Sequence, residues 1–276
     1  MNEIIRCGRF SLALDRPLVM GIVNVTPDSF SDGGRFLDPR AAVAHARELI
    51  EQGADILDIG AESTRPGAQP VSAADEIGRL RPVLDALRES RVPISVDTMK
   101  PEVMRAALDL GAAMINDVAA LAAPGALDAV AASDCGVCLM HMQGEPRSMQ
   151  AAPHYDDVVG EVKAFLAARV EACLRAGVAR ERIVVDPGLG FGKTVEHNFE
   201  LLRGLPQLAQ LGRPLLVGWS RKSSLGRITG RAPQDRLAAS LAAALLALQR
   251  GARILRVHDV KETRDVIAVW QAAEKR

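Results

Sequence analysis

Eight short apolar segments, each ending at or near a polar residue, recur along the chain and constrain its fold more than any other feature. The polar residues that follow them are Asn24, Glu62, Asp97, Asn116 with Asp117, His141, Asp186, Ser220, and His258 with Asp259. Segments rich in β-branched residues are typical of strands that are buried on both faces of a parallel sheet. Eight such strands alternating with helices predict an α/β fold, the (β/α)8 or TIM barrel, with the active site at the carboxyl ends of the strands. We therefore expect these polar residues to meet at one mouth.

The length of the chain matches one barrel with little left over. A TIM barrel takes about 250 residues, so we expect residues 1–276 to form a single domain. Residues 2–14 alternate weakly around Gly8, which predicts a short N-terminal β-hairpin at the bottom of the barrel. Two stretches rich in turn-forming residues, 24–38 and 61–70, are predicted to be irregular loops, and long loops in compact domains are usually functional.

Several helix starts can be placed from capping signals. Asp38 followed by Pro39 predicts the start of the first helix, and Ser72 with Asp75 three residues later predicts the start of the second. The helix after the sixth strand is predicted over about residues 195–203.

Charge and composition argue against several classes of partner. Lys and Arg together number 34, as do Asp and Glu, so the formal net charge is zero. A nucleic acid or a membrane surface would favour a basic excess, so we expect neither as a partner. The most apolar stretch, residues 237–248, is too short to span a bilayer, and the N-terminus has no signal-peptide pattern. We therefore expect the protein in the cytoplasm.

Two apparent motifs do not predict a site. Cys135 and Cys138 form a C-x-x-C pair, but no second ligand pair lies at a spacing suited to zinc. On a strand their side chains would point to opposite faces, so we expect buried thiols. Residues 186–194 resemble a Walker A loop, but Pro187 stands where its first glycine is required.

Three strand ends suit a flat, nitrogen-rich ligand. Asp97, Asn116 and Asp186 would project carboxylates and an amide into one apolar mouth, where they fit a heterocycle with several N–H donors and a carbonyl. The alternative is that each of them caps the helix that follows it.

A second group of residues indicates an anionic substrate. Arg256 and His258 are two positions apart on a strand and so face the same way, and such paired cationic donors suit phosphate. The alternative is a surface ion pair with Asp259 or Asp265. Residues 220–224 open a helix, whose N-terminus offers N–H groups to an anion. Asn24 is a neutral oxygen ligand that would complete a Mg²⁺ shell beside a polyphosphate.

Seven motifs resemble those of the dihydropteroate synthase family, in the same order and spacing from about residue 18 to 264. They are NVTPDSFSDGG (24–34), ESTRPG (62–67), SVDT (95–98), IND (115–117), DPG with GFG (186–192), SRKS (220–223) and RVHD (256–259). That family joins 6-hydroxymethyl-7,8-dihydropterin diphosphate to p-aminobenzoate, makes 7,8-dihydropteroate and pyrophosphate in folate synthesis, and is the target of sulfonamides. Ala61 and Trp219 depart from the usual family pattern.

The resemblance implies a role for each motif residue. The pterin would be bound by Asp97, Asn116, Asp186, Met140, Phe191, Lys222 and Arg256. The diphosphate would be bound by Asn24, Thr64, Arg65, Arg256 and His258, with Mg²⁺ held on it by Asn24. The p-aminobenzoate would be bound by Phe30, Thr64, Pro66, Lys222 and Ser223. Catalysis would involve Asp32, Lys222, Arg256 and His258, and the reaction would be SN1-like. The first loop, which carries Asp32, would close over the cation that forms.

The resemblance also implies a homodimer, and residues 237–248 fit either its interface or the core. Two other functions remain open. A methyltransferase of the same barrel type, which passes a folate methyl group to a corrinoid protein, would share the pterin carboxylates. It would not use the SRKS and RVHD anion sites or the Asn24 loop. An inactive pterin-binding relative would lack loop or anion residues that this chain has.

Overall fold

Eight parallel strands close into a barrel in the computed structural model of the protein, which describes residues 3–26, 38–63, 69–146 and 148–274. In chain order the strands are β1 (Ile4–Cys7), β2 (Phe10–Ala13), β3 (Leu18–Asn24), β4 (Ile56–Gly60), β5 (Ile94–Asp97), β6 (Met114–Asp117), β7 (Gly136–Met140), β8 (Ile183–Asp186), β9 (Leu215–Val217) and β10 (Ala252–Val257). From β3 onward each strand pairs with the next, and the pairing of β10 with β3 closes the barrel. The predicted TIM barrel is confirmed, and it places all eight carboxyl ends at one mouth.

Helices cover the outside of the barrel. They are α1 (Pro39–Glu51), α2 (Ala73–Ala86), α3 (Pro101–Asp109), α4 (Ala126–Ala131), α5 (Val158–Arg175), α6 (Val195–Ala209), α7 (Ser223–Thr229), α8 (Leu237–Gln249) and α9 (Val260–Glu274). The first two begin as predicted, because the Asp38 side chain accepts a hydrogen bond from Arg40 N and Ser72 Oγ accepts one from Asp75 N. Within the described part of the chain, no helix is long and apolar enough to cross a membrane.

Helix α6 is longer than the sequence predicts. The expected end is at about residue 203, whereas the helix continues through Gly204 and Pro206 to Ala209. A Cβ atom on Gly204 would come within 2.6 Å of Val159 Cγ2 in α5, so the glycine allows the two helices to approach closely. The predicted end is wrong because packing against α5 stabilises the helix beyond Gly204 and Pro206, two residues with low helix propensity.

The N-terminal hairpin closes the bottom of the barrel, opposite the mouth. Strands β1 and β2 pair antiparallel, and Ile5 and Cys7 pack into the apolar cluster that fills the barrel interior. Gly8 N donates a hydrogen bond to Asp134 O at 2.9 Å, just before β7 begins. The predicted hairpin is confirmed, and it lies at the end of the barrel away from the mouth.

The four cysteines are buried free thiols, and the expectation of buried thiols at Cys135 and Cys138 is confirmed. Cys138 belongs to the cluster inside the barrel, whereas Cys135 belongs to the cluster between the strands and the helices. The two therefore lie on opposite sides of the barrel wall and do not form one site.

Candidate active site

A cavity of about 490 Å³ lies at the carboxyl ends of the barrel strands. Seven of the predicted site residues line it: Asn24, Asp97, Phe191, Lys222, Ser223, Arg256 and His258. They come from the ends of β3, β5 and β10 and from the loops that follow β8 and β9. The fold therefore brings residues from five separate parts of the sequence to one mouth, as the barrel predicts.

Three other predicted residues are buried and are not among those that line this cavity: Asn116, Asp186 and Met140. Asn116 hydrogen-bonds to a buried carboxylate, and Asp186 Oδ1 accepts a hydrogen bond from Gly188 N at 2.7 Å. The remaining predicted residues, Phe30, Asp32, Thr64, Arg65 and Pro66, lie outside the described residues.

An ion-pair network joins four strands at the cavity. Arg256 on β10 donates from Nε to Asp58 Oδ2 at 2.6 Å and from Nη2 to Asp97 Oδ2 at 3.0 Å. Asn116 Nδ2 donates to the same Asp58 oxygen at 3.0 Å. Strands β4, β5, β6 and β10 are thereby linked through one guanidinium and its two carboxylates.

Asp58 is a site residue that the sequence prediction misses. It lies in the middle of β4 rather than at its end, and its side chain is 0% exposed. A carboxylate within an apolar strand is costly to bury without a cationic or hydrogen-bonding partner, and this is the signal by which it could be found. The sequence does not identify the partner, because Arg256 lies 198 positions away.

Burial dominates the electrostatics of this network. It raises the pKa of Asp97 to about 7, while the charge of Arg256 lowers that pKa and the charge of Asp58 raises it. Burial likewise raises the pKa of Asp186, against the nearby charge of Lys222. It lowers the pKa of Lys222 to about 8, with the charge of Asp186 opposing the change. Burial alone would lower the pKa of Arg256, but the charges of Asp58 and Asp97 raise it.

The loop after β9 presents Lys222 to the cavity from a strained turn. Arg221 has a φ of 56°, a conformation that residues other than glycine rarely adopt. Its guanidinium is fixed by an ion pair with Asp259, Nη2 to Oδ1, at 2.5 Å. Lys222 Nζ donates to Leu189 O and lies 4.9 Å from the centre of the Phe191 ring. The ammonium group is thus placed between the loops that follow β8 and β9.

Ser220 and His258 are in contact at the ends of β9 and β10. Ser220 Oγ lies 2.9 Å from His258 Nδ1, and the backbone N–H of His258 donates to the same oxygen at 3.2 Å. Both residues line the cavity, beside Arg256. The sequence predicts His258 as an anion ligand but does not predict its serine partner.

A buried lysine supports the loop that carries Phe191. Lys193 is 3% exposed, and its Nζ lies 2.9 Å from His141 Nδ1 and donates to Phe191 O at 3.0 Å. Burial lowers the pKa of Lys193 to about 7, and burial together with the Lys193 charge lowers the pKa of His141 to about 3. These two residues tie the chain after β7 to the chain after β8. The sequence predicts His141 at a strand end near the mouth, either as a core histidine or as a site residue, and it does not single out Lys193.

The second mouth loop is anchored at its base. Lys100 Nζ pairs with Glu62 Oε2 at 2.5 Å and with Glu76 Oε2 at 2.7 Å. Glu62 Oε1 also accepts a hydrogen bond from Val71 N at 2.9 Å. These contacts link Glu62 and Val71, on either side of the second loop, to Lys100, the residue before α3.

Comparison with known proteins points to one family. The pterin binding enzyme family model matches residues 20–258. Dihydropteroate synthase of Neisseria meningitidis serogroup B is 53% identical to the chain, in a match that covers 98% of each.

Solved structures agree with that result. Dihydropteroate synthase of Xanthomonas albilineans, solved with 4-aminobenzoic acid, matches with a TM-score of 0.93 and 55% identity over 100% of both chains. Dihydropteroate synthase of Burkholderia cenocepacia, complexed with 7,8-dihydropteroate, matches with a TM-score of 0.90 and 51% identity over 99% of this chain and 96% of that one.

Proposed function

The chain belongs to the pterin-binding enzyme family, among its dihydropteroate synthases, and on that premise we propose that it joins 6-hydroxymethyl-7,8-dihydropterin diphosphate to p-aminobenzoate. The products are 7,8-dihydropteroate and pyrophosphate, so the enzyme is a transferase that moves a pterin-methyl group to an arylamine. The observation that carries the proposal is one cavity that combines buried carboxylates with cationic groups. Carboxylates suit the N–H groups of a pterin, and cations suit a diphosphate.

We assign the pterin to the carboxylate side of the cavity. Asp97 and Asp186 would accept hydrogen bonds from ring N–H groups, Asn116 would add its amide, and Lys222 would donate to the pterin carbonyl. Phe191 lines the cavity, and its ring would pack against the pterin. Met140 and the guanidinium of Arg256 would complete the packing.

We assign the diphosphate to the side formed by Asn24, Arg256 and His258. All three line the cavity. Asn24 is the last residue of β3, and Arg256 and His258 lie at the end of the adjacent strand β10. Arg256 is charged, since Asp58 and Asp97 raise its pKa. Thr64 and Arg65 of the second loop would add contacts from the same side.

We assign p-aminobenzoate to the outer part of the cavity. Ser223 begins α7 and is exposed, so its hydroxyl can reach a carboxylate that Lys222 also attracts. Phe30, Thr64 and Pro66 would form the rest of this pocket. The arylamine nitrogen would then point inward, toward the pterin methylene group.

The cavity fits Mg²⁺ that is held mainly by the substrate. Asn24 offers an amide oxygen, a hard ligand of the kind that Mg²⁺ prefers. Among the described residues, no cluster of three His, Cys, Asp or Glu side chains is placed to hold a metal ion. Asn24 would therefore be one protein ligand, and diphosphate oxygens and water would supply the others. When bound, Mg²⁺ neutralises charge on the leaving diphosphate.

We propose an SN1-like reaction. The bond between the pterin methylene carbon and the diphosphate oxygen breaks first, and its electron pair leaves with the diphosphate. Arg256 and His258 stabilise that leaving charge, while Asp97 and Asp186 stabilise the pterin cation. The nitrogen of p-aminobenzoate then attacks the methylene carbon, and its proton passes to the released pyrophosphate or to water. Asp32 would close the first loop over the cation and exclude water.

We also propose that the protein is a homodimer formed through α8. One face of this helix is buried in the barrel wall, at Ala243 and Ala247, while Leu237 and Leu246 are 37% and 38% exposed. A second copy of the chain would remove these leucines from water, which stabilises the assembly.

The experiment that tests the function is pyrophosphate release by the purified protein from the pterin diphosphate, with and without p-aminobenzoate and with and without Mg²⁺. The expected result is release that requires both, with dihydropteroate formed in equal amount. Pterin binding without release would contradict the proposal and favour an inactive relative or a methyltransferase of the same fold.

Two variants and one control variant make the test specific to the assigned site. Asp97→Asn is expected to lower kcat/KM for the pterin diphosphate by about a hundredfold, since a carboxylate that stabilises transition-state charge is lost. Asp128→Asn, at an exposed position on α4, is the matched control and is expected to match the wild type. Asp32→Ala is expected to lower kcat far more than it weakens pterin binding, and equal losses would contradict the role assigned to the first loop.

A further inference from the structure

A single hydroxyl group contacts both the backbone and the ring of His258. Ser220 Oγ accepts a hydrogen bond from the His258 backbone N–H at 3.2 Å and lies 2.9 Å from Nδ1 of the ring. Ser220 is only 8% exposed, so water competes little for its oxygen. The pair of contacts fixes the position of the oxygen relative to the imidazole.

Among the described residues, the proton of this hydroxyl has one acceptor, His258 Nδ1. A serine hydroxyl donates one hydrogen bond, and its oxygen here already accepts one from the His258 N–H. If Nδ1 also carried a proton, two donors would face the oxygen, and the hydroxyl proton would have no acceptor among the described residues. Both contacts of the Ser220 hydroxyl are satisfied when Ser220 donates and Nδ1 accepts, which is the arrangement expected for a polar group with little access to water.

We propose that Ser220 is a positioning residue that fixes the tautomer of His258 with its proton on Nε2. In a neutral imidazole one nitrogen accepts and the other carries the proton, so an accepting Nδ1 requires a protonated Nε2. Nε2 lies on the far side of the ring from Ser220, in a side chain that lines the cavity. The inference rests on the proposed function, in which His258 faces a diphosphate. That anion needs a donor, and the other tautomer would offer it a lone pair.

Neighbouring contacts hold Ser220 Oγ close to the His258 ring. The next residue, Arg221, pairs with Asp259, the residue after His258, at 2.5 Å. Its backbone N–H donates to Ser240 Oγ of α8 at 2.9 Å. Two consecutive residues after β9 are therefore linked to two consecutive residues after β10, so the serine oxygen has little freedom to move away from the ring.

Histidine side-chain ¹⁵N NMR of the full-length protein tests the proposal directly. The chain has five histidines, and His258→Gln identifies the His258 signals by their loss. At a pH where the ring is neutral, the expected spectrum shows a protonated Nε2 and an unprotonated Nδ1 for His258. A proton on Nδ1 would overturn the proposal without reference to activity.

Two serine variants separate the hydroxyl–imidazole contact from general support of the loop. Ser220→Ala is expected to move the His258 signals toward a mixture of both tautomers. Ser240→Ala removes a hydroxyl that supports the same loop through Arg221 N but is not bonded to His258, and it is expected to leave the tautomer unchanged. A Ser220→Ala spectrum that matches the wild type would overturn the assignment.

Kinetics supply the second arm of the test. Ser220→Ala is expected to lower kcat/KM for the pterin diphosphate about tenfold, a loss typical of removing a hydrogen-bond partner that orients a histidine ligand. The KM for p-aminobenzoate is expected to stay unchanged. Combined with His258→Gln, it is expected to add no further loss, and additive losses would overturn the proposal. If the protein makes no dihydropteroate, the proposed function fails, while the NMR spectrum still decides the tautomer.

Discussion

At the scale of single residues, Arg256 connects the two ends of the proposed substrate. Its guanidinium holds Asp97 at 3.0 Å, and Asp97 is the carboxylate assigned to the pterin. The same guanidinium is assigned to the diphosphate. Under the proposed function, a pterin that takes over Asp97 releases Nη2 of Arg256 toward the diphosphate, while Nε stays bound to Asp58 at 2.6 Å. Binding of one end of the substrate would thus prepare the other.

The pKa values of Asp97 and Lys222 predict a bell-shaped pH profile. Burial raises the pKa of Asp97 to about 7, and only its carboxylate form accepts from pterin N–H groups, so kcat/KM for the pterin diphosphate should fall as the pH drops below this value. Burial lowers the pKa of Lys222 to about 8, so its positive charge, and with it kcat/KM, is lost as the pH rises above that value. Initial rates at low substrate concentration across this pH range are the measurement.

Lys222→Arg is the control for the alkaline side of this profile. A guanidinium keeps its charge far above pH 8, so the variant should lose the alkaline fall and keep the acidic one, whatever its absolute rate. An alkaline fall that persists in the variant would show that another group is responsible and that Lys222 is misassigned.

What the sequence reveals about single residues depends on how far away their partners are. The strand-end residues Asp97 and His258 are predictable because a strand end is a local feature. Asp58 and Lys193 are not, since the first pairs with Arg256 198 positions away and the second meets a histidine 52 positions away. A buried charge indicates that a partner exists, but only the fold identifies it.

At the scale of elements, the close approach of α5 and α6 depends on one glycine. A Cβ on Gly204 would come within 2.6 Å of Val159 Cγ2, and a valine side chain has little freedom to turn away. Gly204→Ala is therefore expected to lower the free energy of unfolding by about 1–3 kcal/mol, measured by urea denaturation.

Gly78 in α2 provides the matched control for that substitution. It is exposed, and nothing lies within 4 Å of a Cβ added there. Gly78→Ala should therefore raise the free energy of unfolding by about 0.5–1 kcal/mol through helix propensity alone. Adding Val159→Ala to Gly204→Ala should cost less than the sum of the two single changes. Equal stabilisation by the two alanines would disprove the packing argument.

The same glycine explains why helix starts are easier to predict than helix ends. Asp38 and Ser72 cap their helices through bonds to residues two and three positions away, so the signal is local. The end of α6 depends on packing against α5, and the two helices are separated in the sequence by β8 and its loops. Glycine and proline predict a stop there, and the contact with Val159 overrides them.

At the scale of the whole molecule, the repeated strand-then-helix pattern predicts a closed barrel of eight strands, whereas the individual contacts that close it are not evident from the sequence. Consecutive parallel strands joined by helices lie side by side, which sets the order from β3 to β10. Closure depends on contacts between the two ends of the chain, such as the pairing of Ile254 with Leu18. Asp55 adds to it by binding both Arg16 at 2.7 Å and Arg264 at 2.5 Å. No local pattern indicates these contacts.

The proposed homodimer is testable through the outer face of α8. Leu246→Glu places a charge on an apolar surface that a second copy would bury, and an unpaired charge in such an interface is strongly unfavourable. Light scattering after size exclusion should give about twice 29.5 kDa for the wild type and about 29.5 kDa for the variant, with the same circular dichroism spectrum. Ala44→Glu, which also adds a glutamate at an exposed helix position but on α1, should stay dimeric. If Leu246→Glu also stays dimeric, the interface does not include α8. If the wild type is a monomer, the proposed homodimer is disproved.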